Sequence, residues 1–221
     1  MTTSELTRPR ATGAWSADPY ADAVHLGRGP LFLRRADGWL LPLEVERWCG
    51  HADPADRTVL DRCEGKVIDI GCGPGRLVAA LAALGRPALG VDLSPAAVAR
   101  TRRTGGAALC RSVFNPLPGE GRWGTALLVD GNIGIGGDPR TLLARVAAIT
   151  APRGLLLVEA AAADVDERVQ VRVDDGRGRL GPAFPWARVG VAALLRHAGA
   201  VGWRMVDRWE SGDRHFAALR L

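Results

Sequence analysis

Residues 67–78 read VIDIGCGPGRLV, a spacing that puts Asp69, Gly71, Gly73 and Gly75 at alternate positions directly after a run with the apolar character of a buried strand. Glycines in such a pattern let the backbone turn sharply and touch a ligand with no Cβ in the way. The two phosphate-binding patterns that such a loop suggests both fail here. A dinucleotide fingerprint beginning at Gly71 needs a glycine where Arg76 stands, and a P-loop needs a Gly-Lys-Ser/Thr run that is absent. An acid, Asp92, instead ends the next apolar segment, PALGVDL. Taken alone, a glycine-rich turn also serves simply to join a strand to a helix. The acid at Asp92 and the strand-turn-helix setting favour a ligand contact over that reading.

The elements that must hold these residues follow from periodicity. KVIDI, PALGVDL, AALCRSVF, WGTALLVDG and GLLLVEA have the composition of strands. Between them, RLVAALAALG is expected to be a helix with Leu77, Leu81 and Leu84 on one face and Gly85 as its stop. A second helix has Ser94 as its cap, Pro95 at its first position and Gly105 after its end. A third opens at Asp138-Pro139 and stops at Pro152. This rhythm implies a parallel sheet covered on both faces, with ligands at the carboxyl ends of its strands. The chain then changes character. A helix is expected across WARVGVAALLRHAGA, and WRMVDRWE and RHFAALRL, separated only by SGD, can pair only as an antiparallel hairpin.

As a set, DIGCGPGR, GVDLSP and the closing hairpin make residues about 60–221 resemble a class I S-adenosylmethionine-dependent methyltransferase. The fold this implies is α/β: a mostly parallel seven-stranded doubly wound sheet with a C-terminal antiparallel hairpin, plus an N-terminal lid-like extension. Residues 1–57 would be the tail and lid, and 58–221 the Rossmann-like methyltransferase core. The resemblance implies S-adenosyl-L-methionine as cofactor, with Asp69, Gly71, Gly73 and Gly75 against its methionyl part and ribose. It also implies Asp92, with the adjoining Leu93, at the ribose hydroxyls; a carboxylate can accept from two vicinal hydroxyls at once. The family's adenine contact is often an acid followed by an apolar residue after the third strand. Here Ser112 replaces that acid, and the backbone of Val113 is the alternative. In VDGNIGIGGDP, Asp130 is expected to face the cationic sulfonium or the amino group, and Asn132 to orient a polar group of the substrate. A competing reading has both residues only capping and turning the chain.

Residues 1–57 have no counterpart in the minimal fold. LFLRRADGWLLPL resembles a hairpin turning at Ala36-Asp37-Gly38, and LEVERW and PADRTVLDRC look helical. GRGPL faintly resembles a segment with which some small-molecule methyltransferases cover the cofactor, which makes Arg28 a candidate partner for the cofactor carboxylate. Trp15, Tyr20 and His25 are candidates for the acceptor pocket, Tyr20 and His25 with Asn132 as possible catalytic groups, or for packing of the extension. In ERVQVRVDDGRGRLGPAFPWARV, a turn at Asp174-Asp175-Gly176 precedes Phe184, Trp186 and Arg188, expected to form one wall of the acceptor site. His51, His197 and His215 are expected to be structural or solvated.

Composition bounds the rest. At 221 residues and 47% hydrophobic the chain suits one domain with a sizeable core. No apolar run reaches the roughly 18 residues of a membrane span, and MTTSELTRPRATGA lacks the apolar stretch of a secretory signal, so a soluble cytoplasmic protein is expected. Cys49, Cys63, Cys72 and Cys110 form no C-x-x-C pair, so neither a metal site nor a disulfide framework is expected. The net charge of +5 comes from dispersed arginines, with Lys66 the only lysine, which argues against dedicated nucleic-acid binding. The expected activity is in-line methyl transfer to a small-molecule acceptor, through oxygen or nitrogen. RNA or protein methylation is the first alternative, and a non-methylating S-adenosylmethionine-binding protein the second.

Overall fold

The computed structural model describes residues 18–221, so Trp15 lies outside the described residues. The described chain begins with helix α1 (Asp18–Leu26), a hairpin of strands β1 (Phe32–Arg35) and β2 (Leu40–Pro42), and two short helices, α2 (Val45–Cys49) and α3 (Pro54–Asp61). Helix α3 is fixed at its start by a reciprocal cap: Asp53 accepts from the Asp56 backbone N–H and Asp56 from that of Asp53. This helix runs across the division expected at residue 57 and carries Asp56 into the core.

The alternating part follows as β3 (Val67–Ile70), α4 (Arg76–Ala83), β4 (Ala88–Asp92), α5 (Pro95–Arg103), β5 (Ala108–Cys110), β6 (Trp123–Leu128), α6 (Pro139–Ile149) and β7 (Thr150–Ala160). All four residues of β3 are buried, as a central strand covered on both faces requires. Ser94 caps α5 by accepting from the Ala97 N–H, with Pro95 in the first turn. Two expectations are corrected here. Helix α4 ends before Leu84, which is 64% exposed instead of sharing the buried face of Leu77 and Leu81. Helix α6 ends at Ile149, because Thr150 already pairs with Trp123 as the start of β7.

After β7 come the hairpin β8 (Asp166–Asp174) and β9 (Phe184–Val189), helix α7 (Val191–Gly199), and the closing hairpin β10 (Arg204–Ser211) and β11 (Arg214–Arg220). The late helix was expected to start at Trp186, but Trp186-Ala187-Arg188-Val189 belong to β9, where they pair with β8. The main sheet has the order β10-β11-β7-β6-β3-β4-β5. Its five central and right-hand strands are parallel and β11 and β10 are antiparallel, the expected doubly wound sheet with a terminal hairpin. No described helix is long and apolar enough to cross a membrane.

A second sheet, β2-β1-β8-β9, is antiparallel and joins the N-terminal hairpin to the insert after β7. It has its own core, in which Val24, Leu31, Leu33 and Val45 pack with Val171, Val173, Phe184 and Trp186. Arg100 of α5 donates to the carbonyls of Val24 and Cys49, pinning α1 and α2 to the main domain. The cap over the strand ends is therefore built from two stretches far apart in sequence.

Candidate active site

At the carboxyl ends of β3 to β7, beneath the second sheet, lies a single cleft of about 1020 Å³. Its floor includes Gly71 and Gly73. The two have different reasons to be glycine, although both sit at positive φ, 73° and 52°. A Cβ on Gly71 would meet the Asn132 side chain at 2.7 Å, whereas one on Gly73 would point to open cleft, with the Tyr20 hydroxyl its nearest neighbour at 3.5 Å. At Gly73, then, the space a side chain would fill is open cleft. Gly75 does not border the cleft. A Cβ there would lie 2.3 Å from Thr101, so this glycine serves packing of α4 on α5. Asp69 is also absent from the lining and is buried under the loop. Burial pushes its carboxyl up to about 7, opposed by Arg76 and reinforced by Asp130, Asp92 and Asp56.

Asp92 stands where the sequence places it. One carboxylate oxygen accepts from the Gly73 N–H at 2.9 Å and the other from the Ser94 N–H at 2.7 Å, which fixes the group at the cleft with lone pairs to spare. Burial raises its pKa while those N–H groups oppose the shift. Leu93, Ser112 and Val113 also border the cleft. The Ser112 hydroxyl accepts from the Phe114 N–H at 3.2 Å, and the Val113 carbonyl accepts from Arg145 at 2.8 Å. Phe114, 40% exposed, adds a ring at the same edge that the sequence reading missed.

Asp130 borders the cleft, but its carboxylate faces arginines. It accepts from Arg47 at 2.8 Å, from Arg76 at 2.6 and 3.0 Å, and from Arg214 at 3.4 Å. Burial works to raise its pKa, and Arg76, Arg47 and Arg214 outweigh that and hold it below the usual carboxylate range. The expectation that it points at a sulfonium or amino group is replaced by this network. Asp56, fully buried, takes a forked pair from Arg76 at 2.7 and 2.8 Å and a further bond from Arg214 at 2.9 Å. Against its burial, those two arginines bring it down to about 2. Glu159 at the end of β7 takes a second fork from Arg214, at 2.9 and 2.8 Å, and accepts from the Asp130 N–H. Three arginines and four carboxylates, Asp53 included, so join helices α2 and α3, the glycine loop and the terminal hairpin along one wall.

Asn132 is likewise turned to the protein. Its side-chain amide N–H groups donate to the carbonyls of Ile70 and Gly71 at 3.0 and 2.9 Å, clamping the glycine loop, so it is a positioning residue. The glycine richness of the following loop has a steric cause: a Cβ on Gly134 would lie 2.2 Å from the Ala187 carbonyl of β9.

Of the lid candidates, Tyr20 reaches the cleft and is buried. Burial, then Asp92, raise its pKa well above the ordinary phenol value. His25 and Arg28 do not reach the cleft. They border a separate hollow of about 330 Å³ between α1 and the turn at Asp175–Arg179. The N-terminal guanidinium at the cleft is that of Arg47. Phe184, Trp186 and Arg188 do line it, with the two rings edge to face at 6.1 Å. Arg188 pairs with Glu167 at 3.0 Å and lies over the Trp39 ring.

Residues 50–199 match the Methyltransferase domain family. Among curated protein sequences, none matches the chain. Solved structures resemble it at low identity. The S-adenosylmethionine-dependent methyltransferase from Bacteroides fragilis, in complex with S-adenosyl-L-homocysteine, is 19% identical, with a TM-score of 0.78 over 96% of each chain. The 1,6-didemethyltoxoflavin-N1-methyltransferase of Burkholderia thailandensis is 21% identical, with a TM-score of 0.54 over 74% of this chain and 73% of that one. The CcbJ methyltransferase from Streptomyces caelestis is 18% identical, with a TM-score of 0.58 over 76% and 96%. With its sheet order, its glycine loop and a family match over most of its length, the chain belongs to the methyltransferase-domain family and has the class I S-adenosylmethionine-dependent methyltransferase fold.

Proposed function

We propose that the protein uses S-adenosyl-L-methionine to methylate a small-molecule acceptor, at nitrogen or oxygen, by in-line transfer. The observation that carries this reading is that one cleft joins the open cradle at Gly73 and the fixed carboxylate of Asp92 to apolar walls from the cap, Leu33, Leu41, Phe184 and Trp186 among them. About 1020 Å³ lies at the top of the range of roughly 300–1,000 Å³ that single small ligands use, which leaves room for an acceptor beside the cofactor. One structural neighbour supports it too, being named a 1,6-didemethyltoxoflavin-N1-methyltransferase, with bound 1,6-didemethyltoxoflavin and S-adenosylhomocysteine.

When bound, the cofactor supplies a methyl group already activated on a sulfonium. The chain's own residues then have to bind, align and dry the reactants. Gly71 and Gly73 offer backbone to the methionyl and ribose parts, and Asp92 with Leu93 takes the ribose. Ser112, Val113 and Phe114 flank the adenine. Tyr20 closes over the loop, and Phe184, Trp186 and Arg188 form the acceptor wall. Asp92→Ala is expected to weaken S-adenosylhomocysteine binding by about 2 kcal/mol, some thirtyfold, through loss of two charge-assisted contacts. Unchanged calorimetric affinity in a folded variant would remove Asp92 from the site.

The cap is the second part of the reading: residues 18–49, with β8 and β9, close over the cofactor. Amides between Tyr20 and Trp48 are expected to exchange more slowly when S-adenosylhomocysteine is added. Equal exchange with and without it would make the extension a packing element only.

A further inference from the structure

The titratable side chains that border the cleft can each be accounted for. No histidine borders it. Asp130 and Glu159 accept from arginines on both oxygens. Asp53 is engaged by the Asp56 N–H at 2.7 Å and lies 3.8 and 3.6 Å from Arg47 and Arg214. Asp92 holds the Gly73 and Ser94 N–H groups at the far, ribose end. The Tyr20 phenol and the Cys72 thiol are weak acids whose pKa values are raised further, chiefly by burial and then by Asp92. The cations Arg47, Arg76 and Arg214 are on these acids, Arg188 is on Glu167, and Arg111 is exposed at the rim. That leaves Glu44 and Asp213, both exposed at the mouth, and neither buried beside the reacting centre. Among the described residues, then, the interior of the cleft offers no group placed to take a proton.

We propose that the acceptor arrives with its nucleophilic lone pair already free at neutral pH, on an aromatic ring nitrogen or on the oxygen of an acidic phenol or enol, carried by a planar apolar body. An aliphatic hydroxyl or an alkylammonium, which must give up a proton before or during the transfer, is the kind of acceptor this arrangement disfavours. The inference rests on the small-molecule methyltransferase reading and narrows it. In the step, the acceptor's lone pair forms the new bond to the methyl carbon while the carbon–sulfur bond breaks and its electron pair stays on sulfur. The thioether leaves neutral. The positive charge passes to a ring nitrogen, which later loses any N–H proton to water, or cancels the charge of a phenolate or enolate. The apolar aromatic wall of Leu33, Leu41, Phe184 and Trp186 suits such a planar body.

The test offers the full chain methyl-labelled S-adenosylmethionine with 4-nitro-1-naphthol, a phenol ionised at neutral pH, or benzimidazole, with naphthylmethanol or naphthylmethylamine, and with a deproteinised small-metabolite extract. Label is expected on the phenol oxygen, the ring nitrogen or a metabolite of that kind, at least about tenfold faster than on the alcohol or alkylamine. With the accepted compound, the acidic limb of the kcat/KM profile should fall at that compound's own pKa. Label on the alcohol or alkylamine at a rate within about tenfold of the phenol or ring nitrogen would overturn the proposal. So would an acidic limb that departs from the acceptor's pKa and vanishes in Glu44→Gln or Asp213→Asn. No label in any arm, while calorimetry shows S-adenosylhomocysteine bound, would overturn the small-molecule reading beneath it.

Discussion

Gly73→Val is expected to remove cofactor binding, with S-adenosylhomocysteine affinity falling by at least about a thousandfold, or 4 kcal/mol. The cause is steric. The new side chain would project into open cleft, where the nearest protein atom is the Tyr20 hydroxyl at 3.5 Å. A β-branched residue at φ 52° also adds strain of about 1–3 kcal/mol. Stability should therefore drop modestly while binding disappears, and Gly73→Ala should fall between. Gly75→Ala is the contrast, since its Cβ would overlap Thr101 at 2.3 Å and the damage should appear in the melting temperature. Calorimetry paired with thermal unfolding separates the two. If Gly73→Val loses melting temperature and affinity in the manner of Gly75→Ala, the cradle is only a tight turn.

Arg76→Met is expected to be the most destabilising single change, at about 3–5 kcal/mol, because it leaves buried carboxylates without their main partner. The Arg76 side chain is 4% exposed and serves both oxygens of Asp56 and both of Asp130. For a chain of this size that corresponds to roughly 6–20 °C in Tm. The pH dependence has a definite sign. Asp56, at about 2, lies below its unfolded value of roughly 3.9. Its contribution is thus complete above pH about 4 and is lost as pH falls toward 2. The gap between wild type and Arg76→Met should be full at pH 7 and narrow in acid. Arg76→Met combined with Asp56→Asn should cost less than the sum of the two. Urea unfolding of all three variants at pH 7 measures this, and a Tm for Arg76→Met equal to wild type would show that the network does not stabilise the fold.

The difference between Gly73 and Arg76 also marks what the sequence makes legible. The glycine loop, the Ser94 cap and Asp92 are local: strand, turn and acid lie within one βα unit, so spacing alone places them. The arginine network is not local. Arg214 meets Asp56 across 158 positions and Glu159 across 55, and nothing in the composition around any one of them announces the others. Arg76 was legible only as the residue that breaks a dinucleotide fingerprint. Arg28 attracted attention because it sits in a suggestive short segment, yet the turn out of α1 sends it to the wrong side, and Arg47 on α2 reaches the cleft. WARV was assigned to the late helix because it runs directly into VAALLRHAGA; pairing with β8, a tertiary contact, decides otherwise.

The two-part origin of the second sheet bears on how the protein is made. During synthesis β1 emerges early, but Phe32 pairs with Asp174 and Arg35 with Val171, so its neighbour on that edge does not yet exist. At about 5–20 residues per second, the wait is on the order of ten seconds. For that interval β1 presents an open strand edge, and the charges of Arg34 and Arg35, directly after Leu33, are of the kind that keeps such an edge from pairing with another nascent chain. The ligand cleft is correspondingly one of the last parts to be completed: its floor can form once β6 has left the ribosome, but its roof must await β9, and its arginine wall the closing hairpin.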